Sequence, residues 1–208
     1  MAKMKNKNIE IRSIQTELSA QEGKRVISGL AIPVNSKSEL LYDRKGNAFY
    51  ETISPFAVQE TLIKENDIKV YMNHDASQGT FARSKYGEGS LKLFITERGL
   101  EFEFEAPITA MGDVMIEGIL RGDYDAISFA FISNEAKEEI TLNADGTYNR
   151  VINEILWLDE ISVLSCTPAY SATDVDVRSL DNFIENRNKE IMSHLDDILE
   201  DIEKNSII

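Results

Sequence analysis

Hydrophobic and polar positions alternate in short runs through most of this chain, then switch to a helical period near its end. The clearest run is Gly99 to Ala106, where Leu100, Phe102 and Phe104 interleave with Glu101, Glu103 and Glu105. A period of two places the three apolar side chains on one face, the pattern of a strand with one buried and one wet side. Further strands are predicted over Arg25 to Ile32, Ser90 to Thr96, Ala126 to Ile132 and Trp157 to Ser165, the last stopped by Thr167-Pro168. A shorter one over residues 68 to 73 delivers His74 at its end. Residues 138 to 155 read as a hairpin around Asn143-Ala144-Asp145-Gly146, because Asp-Gly supplies the positive φ that tight turns require.

Helical signals are fewer. Ser54-Pro55 pairs a capping residue with a proline suited to a first helical position, and Phe56, Gln59 and Leu62-Ile63 follow at helical spacing. Gly112 to Arg121 carries Val114, Met115, Ile119 and Leu120, and Gly122 ends it. Residues 34 to 50 read as a polar segment with a turn at Asp43 to Asn47, and Ser77 to Gly89 as a Gly- and Ser-rich loop. From Leu180 onward Ile184, Ile191, Leu195, Ile198 and Ile202 recur at three- and four-residue steps, with Asn188 filling one slot. That is a short heptad seam flanked by an excess of acids. The pattern therefore predicts a β-rich body over residues 9–177 and an acidic amphipathic helical tail over 178–208.

Composition narrows the function classes. A chain of 208 residues with 42% apolar content supports one main core with an appendage. The formal charge of −14 argues against nucleic acid as a partner, since phosphate affinity rests on Lys and Arg. The lysines between Met1 and Arg12 come with no aromatic platform. No run approaches the roughly 20 apolar residues that span a bilayer, so no membrane partner is expected. Ile9-Glu10-Ile11-Arg12 alternates where a signal peptide would run apolar, and Cys166 stands alone, so an intracellular, reducing setting is expected.

Acid–base chemistry near neutral pH has one obvious carrier. The chain has two histidines: His194 lies in the charged tail, which leaves His74 in the body. A serine hydroxyl needs a neighbouring base to take its proton, and the base needs a third group to hold its tautomer. Ser128, in Ile127-Ser128-Phe129-Ala130-Phe131, shares a strand face with Ala130 while the large residues point the other way, which predicts a low, open setting for the hydroxyl. Asp159 and Glu160 fall in a strand otherwise made of Leu156, Trp157, Leu158, Ile161 and Val163. A buried carboxylate is costly unless paired, so one of the two is expected to have a partner. The same residues also fit a purely structural reading: a strand-end histidine, a strand serine and an acid facing water. Cys166 with His74 is a thiol alternative, although a lone Cys near a buried strand usually packs as a small hydrophobe. No His/Cys cluster has metal-ligand spacing and no dinucleotide or phosphate loop is present, so no cofactor is expected.

The order of segments adds a resemblance. Gly29-Leu30-Ala31-Ile32, Glu51-Thr52-Ile53-Ser54-Pro55-Phe56-Ala57 and Asn73-His74-Asp75 are followed by Gly99-Leu100-Glu101-Phe102 and Ile119-Leu120-Arg121-Gly122. Ile127-Ser128-Phe129-Ala130-Phe131 and Leu158-Asp159-Glu160-Ile161-Ser162-Val163, with Thr167-Pro168-Ala169, complete the series. Together they resemble the prohead serine proteases of tailed bacteriophages, relatives of herpesvirus assemblin, from about residue 9 to residue 177. The resemblance implies a β-rich α+β fold, a mostly antiparallel β-barrel with surrounding helices. It also implies an endopeptidase that cleaves capsid-protein extensions or scaffold, and itself, inside an immature capsid in the host cytoplasm.

Carried over by position, His74 is the base, Ser128 the nucleophile and Glu160 the orienting group. The major capsid protein or its scaffolding segment would be the substrate, and self-association is expected. The alternative is an inactive assembly protein on the same fold. Ala130 stands where the family often has Gly, Phe81-Ala82 where it often has Leu-Gly or Ile-Gly, and Cys166-Thr167-Pro168-Ala169-Tyr170 lacks the arginine pair of the herpes enzymes.

Overall fold

The computed structural model describes residues 9–16, 18–20, 23–165 and 177–205. The first part runs β1 (Glu10–Gln15), β2 (Ser19–Ala20), β3 (Val26–Pro33), β4 (Leu41–Tyr42), β5 (Ala48–Ile53), α1 (Glu60–Lys64) and β6 (Asp67–Met72). It continues with β7 (Ala82–Lys85), β8 (Glu88–Gly89), β9 (Leu91–Thr96), β10 (Gly99–Glu105) and α2 (Ala110–Leu120). Next come β11 (Ala126–Ser133), β12 (Glu138–Leu142), β13 (Tyr148–Ile152) and β14 (Ile155–Leu164), and then α3 (Arg178–Asn205).

Among the described residues these strands form three sheets, ordered β1-β11-β14-β6-β7-β8, β2-β3-β10-β9 and β12-β13-β5-β4. The class is β-rich α+β as expected, but the sheets do not close into a barrel. Period-two alternation says which face a strand buries and not which strands pair, so closure is not written in it. Pairing is mostly antiparallel, with two parallel exceptions, β13 with β5 and β14 with β6. The second of these builds the candidate site.

Alternation predicts burial well where it is clean. Leu100, Phe102 and Phe104 of β10 are buried while Glu103 and Glu105 are exposed. They join Ile27 and Ile32 of β3, Val70 of β6, Phe129 and Phe131 of β11, Ile161 and Val163 of β14 and Met115 of α2 in one core. Each large side chain so buried contributes roughly 1.5–3 kcal/mol. The predicted hairpin is present, β12 against β13, with Gly146 at φ 87°.

Three expectations change. The helix predicted from Ser54 breaks into a short 3₁₀ turn at Pro55–Ala57, capped by Ser54 Oγ on the Phe56 N–H at 3.3 Å, and the separate α1. Extended backbone at Val58 separates the two. The segment 77–89 is no simple loop, since β7 and β8 extend the first sheet there. The polar segment 34–50 runs into β5, whose inward positions are Phe49, Glu51 and Ile53. A charged residue occupies a core slot.

Glu51 belongs to a buried ionic cluster that ties β1 to the third sheet. The Arg150 guanidinium donates to Glu10 Oε2 at 2.6 Å, Glu51 Oε2 at 2.7 Å and Glu138 Oε1 at 2.5 Å. Arg12 Nε donates to Glu51 Oε1 at 2.7 Å, and its NH2 to Glu10 Oε2 at 2.8 Å. Planar guanidinium forks suit this shared, multidentate pairing. Burial pushes the Glu10 carboxyl up, but the charges and hydrogen bonds of Arg150, with the charge of Arg12, outweigh it and hold it at about 2.

Two compact units result, Met1–Asp176 and Val177–Ile208. In the second, α3 is a helix of 28 residues. Ile191, Leu195 and Ile198 are each about half exposed along it.

Candidate active site

β6 ends at Met72, level with Val163 of the parallel strand β14. The next two residues, Asn73 and His74, both take left-handed backbone, at φ 54° and 61°. For a residue with a Cβ that conformation costs on the order of 1 kcal/mol, least for Asn. The pair reverses the chain, and His74 folds back over β14. Its Nδ1 meets Glu160 Oε1 in a short hydrogen bond. Facing an ionised carboxylate, which only accepts, a neutral imidazole donates through Nδ1 and leaves Nε2 its lone pair. The imidazole side chain is 29% exposed and the Glu160 side chain 9%, so the ring is reachable while its carboxylate partner is sheltered.

Several bonds hold this turn. Asn73 N–H donates to Val163 O at 3.0 Å, and Asp75 N–H to Met72 O at 3.0 Å. Asn73 Nδ2 donates to Ser165 Oγ and Ser165 N–H donates to Asn73 Oδ1, both at 2.9 Å. His74 N–H donates to Ser162 Oγ at 3.2 Å. Beyond it, hydrogen bonds from the Ser77 hydroxyl, the Ser77 N–H and Gln78 lower the Asp75 carboxyl and close the following turn.

Ser128 lies one strand away. It pairs directly with Ser162 of β14, while Ala130 pairs with Glu160. Paired residues on adjacent strands share a face, so Ser128, Ser162 and Glu160 lie on the same side of the sheet. The expected open setting is corrected: all eight residues of β11 are buried, and Ser128 is 0% exposed. Central strands of a mixed sheet are covered on both faces, which strand parity alone does not reveal.

The Ser128 hydroxyl donates to Arg12 O at 3.0 Å and accepts from Ser13 Oγ at 3.2 Å. The structure thus brings His74 and Glu160 together, and it points the serine toward β1. Asp159, the other candidate acid, pairs with Lys69 Nζ at 3.3 Å. Ala130 has no positive φ, so alanine in place of glycine imposes no strain there. The segment around Cys166 and Tyr170 lies outside the described residues. Among the described residues no group of three or more His, Cys, Asp or Glu is placed to hold a metal ion, and no helix is long and apolar enough to cross a membrane.

Sequence reasoning missed Ser162 and Asn73. Both had signals: Ser162 is two residues from Glu160 and so on its face, and Asn tolerates left-handed backbone better than most residues.

Comparison with known proteins decides the family. The model of the caudovirus prohead serine proteases matches residues 7–187. The chain belongs to that family. A prohead serine protease serves in phage capsid maturation, and the segments around His74, Ser128 and Glu160 fall within the matched span. No curated protein matches. Among solved structures, the capsid assembly protease gp21 of bacteriophage T4 aligns at 10% identity with a TM-score of 0.41, covering 76% of this chain and 97% of that one.

Proposed function

We propose that this prohead protease is an active serine endopeptidase in which Ser128 is the nucleophile, His74 the general base and acid, and Glu160 the group that orients His74. The observation that carries the reading is the Nδ1–Glu160 hydrogen bond, on the sheet face that also carries Ser128. It fixes the tautomer whose Nε2 can accept a proton. Catalysis requires the Ser128 hydroxyl to rotate from Arg12 O toward that nitrogen. Its oxygen then bonds to the scissile carbonyl carbon while the proton passes to Nε2. The C–N bond breaks as the imidazolium returns the proton to the leaving amine. Water next attacks the acyl ester, giving its proton to His74, and the Ser128 oxygen leaves and recovers it. General-base assistance of this kind contributes roughly 10²–10⁴ in rate.

The substrates under this reading are extensions of the capsid protein or its scaffolding segment, and the chain itself, cut inside the immature capsid in the host cytoplasm. No cofactor, nucleic acid or membrane takes part. Copies associate through α3, where Asn188 interrupts a seam of Ile and Leu. One observation favours the rival reading, an assembly protein without activity: Ser128 is buried with its hydroxyl bonded to β1. Mixing the purified protein with its capsid precursor and weighing the fragments separates the two. Cleavage that vanishes in Ser128→Ala, with the fold intact, supports the protease; cleavage that persists in Ser128→Ala removes Ser128 from the mechanism.

A further inference from the structure

We infer that Ser162 is a positioning residue, the hydroxyl that sets where His74 stands relative to Ser128; this rests on the reading of His74 as the base. Strand β14 grips His74 at two points. Glu160 holds the ring through Nδ1, and Ser162, two residues on and on the same face, holds the main chain through the His74 N–H at 3.2 Å. Two grips are needed because one bond leaves a ring free to swing about it. The backbone grip matters most where the chain is left-handed at two successive non-glycine residues and is prone to relax.

Ser162 also stands directly opposite Ser128 on the neighbouring strand. It is 0% exposed, so water does not replace its contact if it is removed. The same hydroxyl therefore relates the histidine's backbone to the strand pair that carries the serine. The Asn73–Ser165 bonds act on the outer side of this turn and do not reach the His74 N–H. A reactive histidine misplaced by about an ångström is expected to lose rate rather than substrate affinity.

The test is Ser162→Ala, with Ser162→Cys as the variant that keeps a comparable volume and a weak acceptor. Thermal melting establishes that each is folded. Two readouts are taken: kcat and KM on a capsid-precursor peptide, and the low-field proton resonance of His74 Nδ1–H, assigned with His194→Gln. The expected result for Ser162→Ala is a fall in kcat of roughly 10- to 100-fold with KM within about twofold, a broadened or shifted Nδ1–H resonance, and partial recovery of both in Ser162→Cys. Unchanged kcat together with an unchanged resonance overturns the positioning role. The resonance needs no substrate. If the wild type cleaves nothing, the protease reading fails, while an altered resonance still supports the grip on His74 and an unaltered one rejects it.

Discussion

Nδ1 of His74 and Oε1 of Glu160 meet across 86 positions of sequence because β6 and β14 run parallel and Asn73-His74 folds the chain back along β14. Under the proposed reading the carboxylate holds one tautomer and stabilises the ring when it becomes charged. Glu160→Gln keeps the volume and loses the charge, and the amide can present its NH2 to Nδ1, favouring the wrong tautomer. It is expected to lower kcat by on the order of 10²–10⁴ with little change in KM. Steady-state kinetics on a precursor peptide measure it. Asp159→Asn, which removes the Lys69 pair, is expected to leave kcat within about twofold, since that half-buried pair lies apart from the His74–Glu160 bond. Equal losses in the two variants would remove Glu160's special role.

The legible part of this molecule is the part where chemistry and pattern agree. Glu103 and Glu105 mark the wet face of β10 and Phe102 and Phe104 the dry one, so that strand was readable. His74 and Glu160 were readable because a lone histidine and an acid in an apolar strand each need a partner. The ionic cluster was not, because Glu10, Arg12, Glu51 and Arg150 look like surface residues until three separate segments converge on them. Glu51 in particular disguises β5 by placing a charge where the alternation wants an apolar side chain. Sheet order, the absence of closure and the cover over Ser128 depend on pairing between distant strands, which local periodicity does not encode.

Arg150 is the hub of that cluster, 1% exposed and bonded to Glu10, Glu51 and Glu138. Arg150→Met fills much of the space but takes a shared charge from Glu10, Glu51 and Glu138, and leaves Glu10 and Glu51 with the single charge of Arg12. Breaking a buried pair from one side costs about 3–5 kcal/mol, a large share of a typical total near 5–15 kcal/mol. Urea unfolding is expected to show a loss of that size. Adding Glu10→Gln to Arg150→Met should recover part of it, since one buried negative charge is removed; no recovery would mean that charge burial is not the cause.

Acid should find the same cluster. The Glu10 carboxyl sits at about 2 in the folded chain against an ordinary value of 4.5. A lowered folded value means that the stabilisation is present in full above the unfolded value and is lost as pH falls through 4.5 toward 2. Full protonation amounts to on the order of 3 kcal/mol. Urea midpoints followed from pH 6 down to pH 3 are expected to fall steadily, and Glu10→Gln should flatten that slope while lowering stability at pH 6. A slope identical in the two proteins would place the acid sensitivity elsewhere.

The turn between β9 and β10 offers a contrast in which geometry decides between two glycines. Gly99 opens β10 at φ 131°, and a Cβ built there would lie 2.0 Å from Ile32 O and 3.1 Å from Val34 N. Both atoms are backbone, Ile32 O within β3 where it pairs with β10 and Val34 N just past it, donating to Arg98 O at 3.0 Å, so neither can step aside cheaply. Gly146 in the β12–β13 hairpin has φ 87° and open space around it. Alanine at Gly146 meets only the left-handed penalty, about 1 kcal/mol. Alanine at Gly99 adds a backbone clash and is expected to cost about 2–4 kcal/mol. For a chain of this size each kcal/mol moves the melting temperature by roughly 2–4 °C. Gly99→Ala should therefore melt well below Gly146→Ala, and equal melting temperatures would show that β3 yields at Ile32 more easily than its pairing implies.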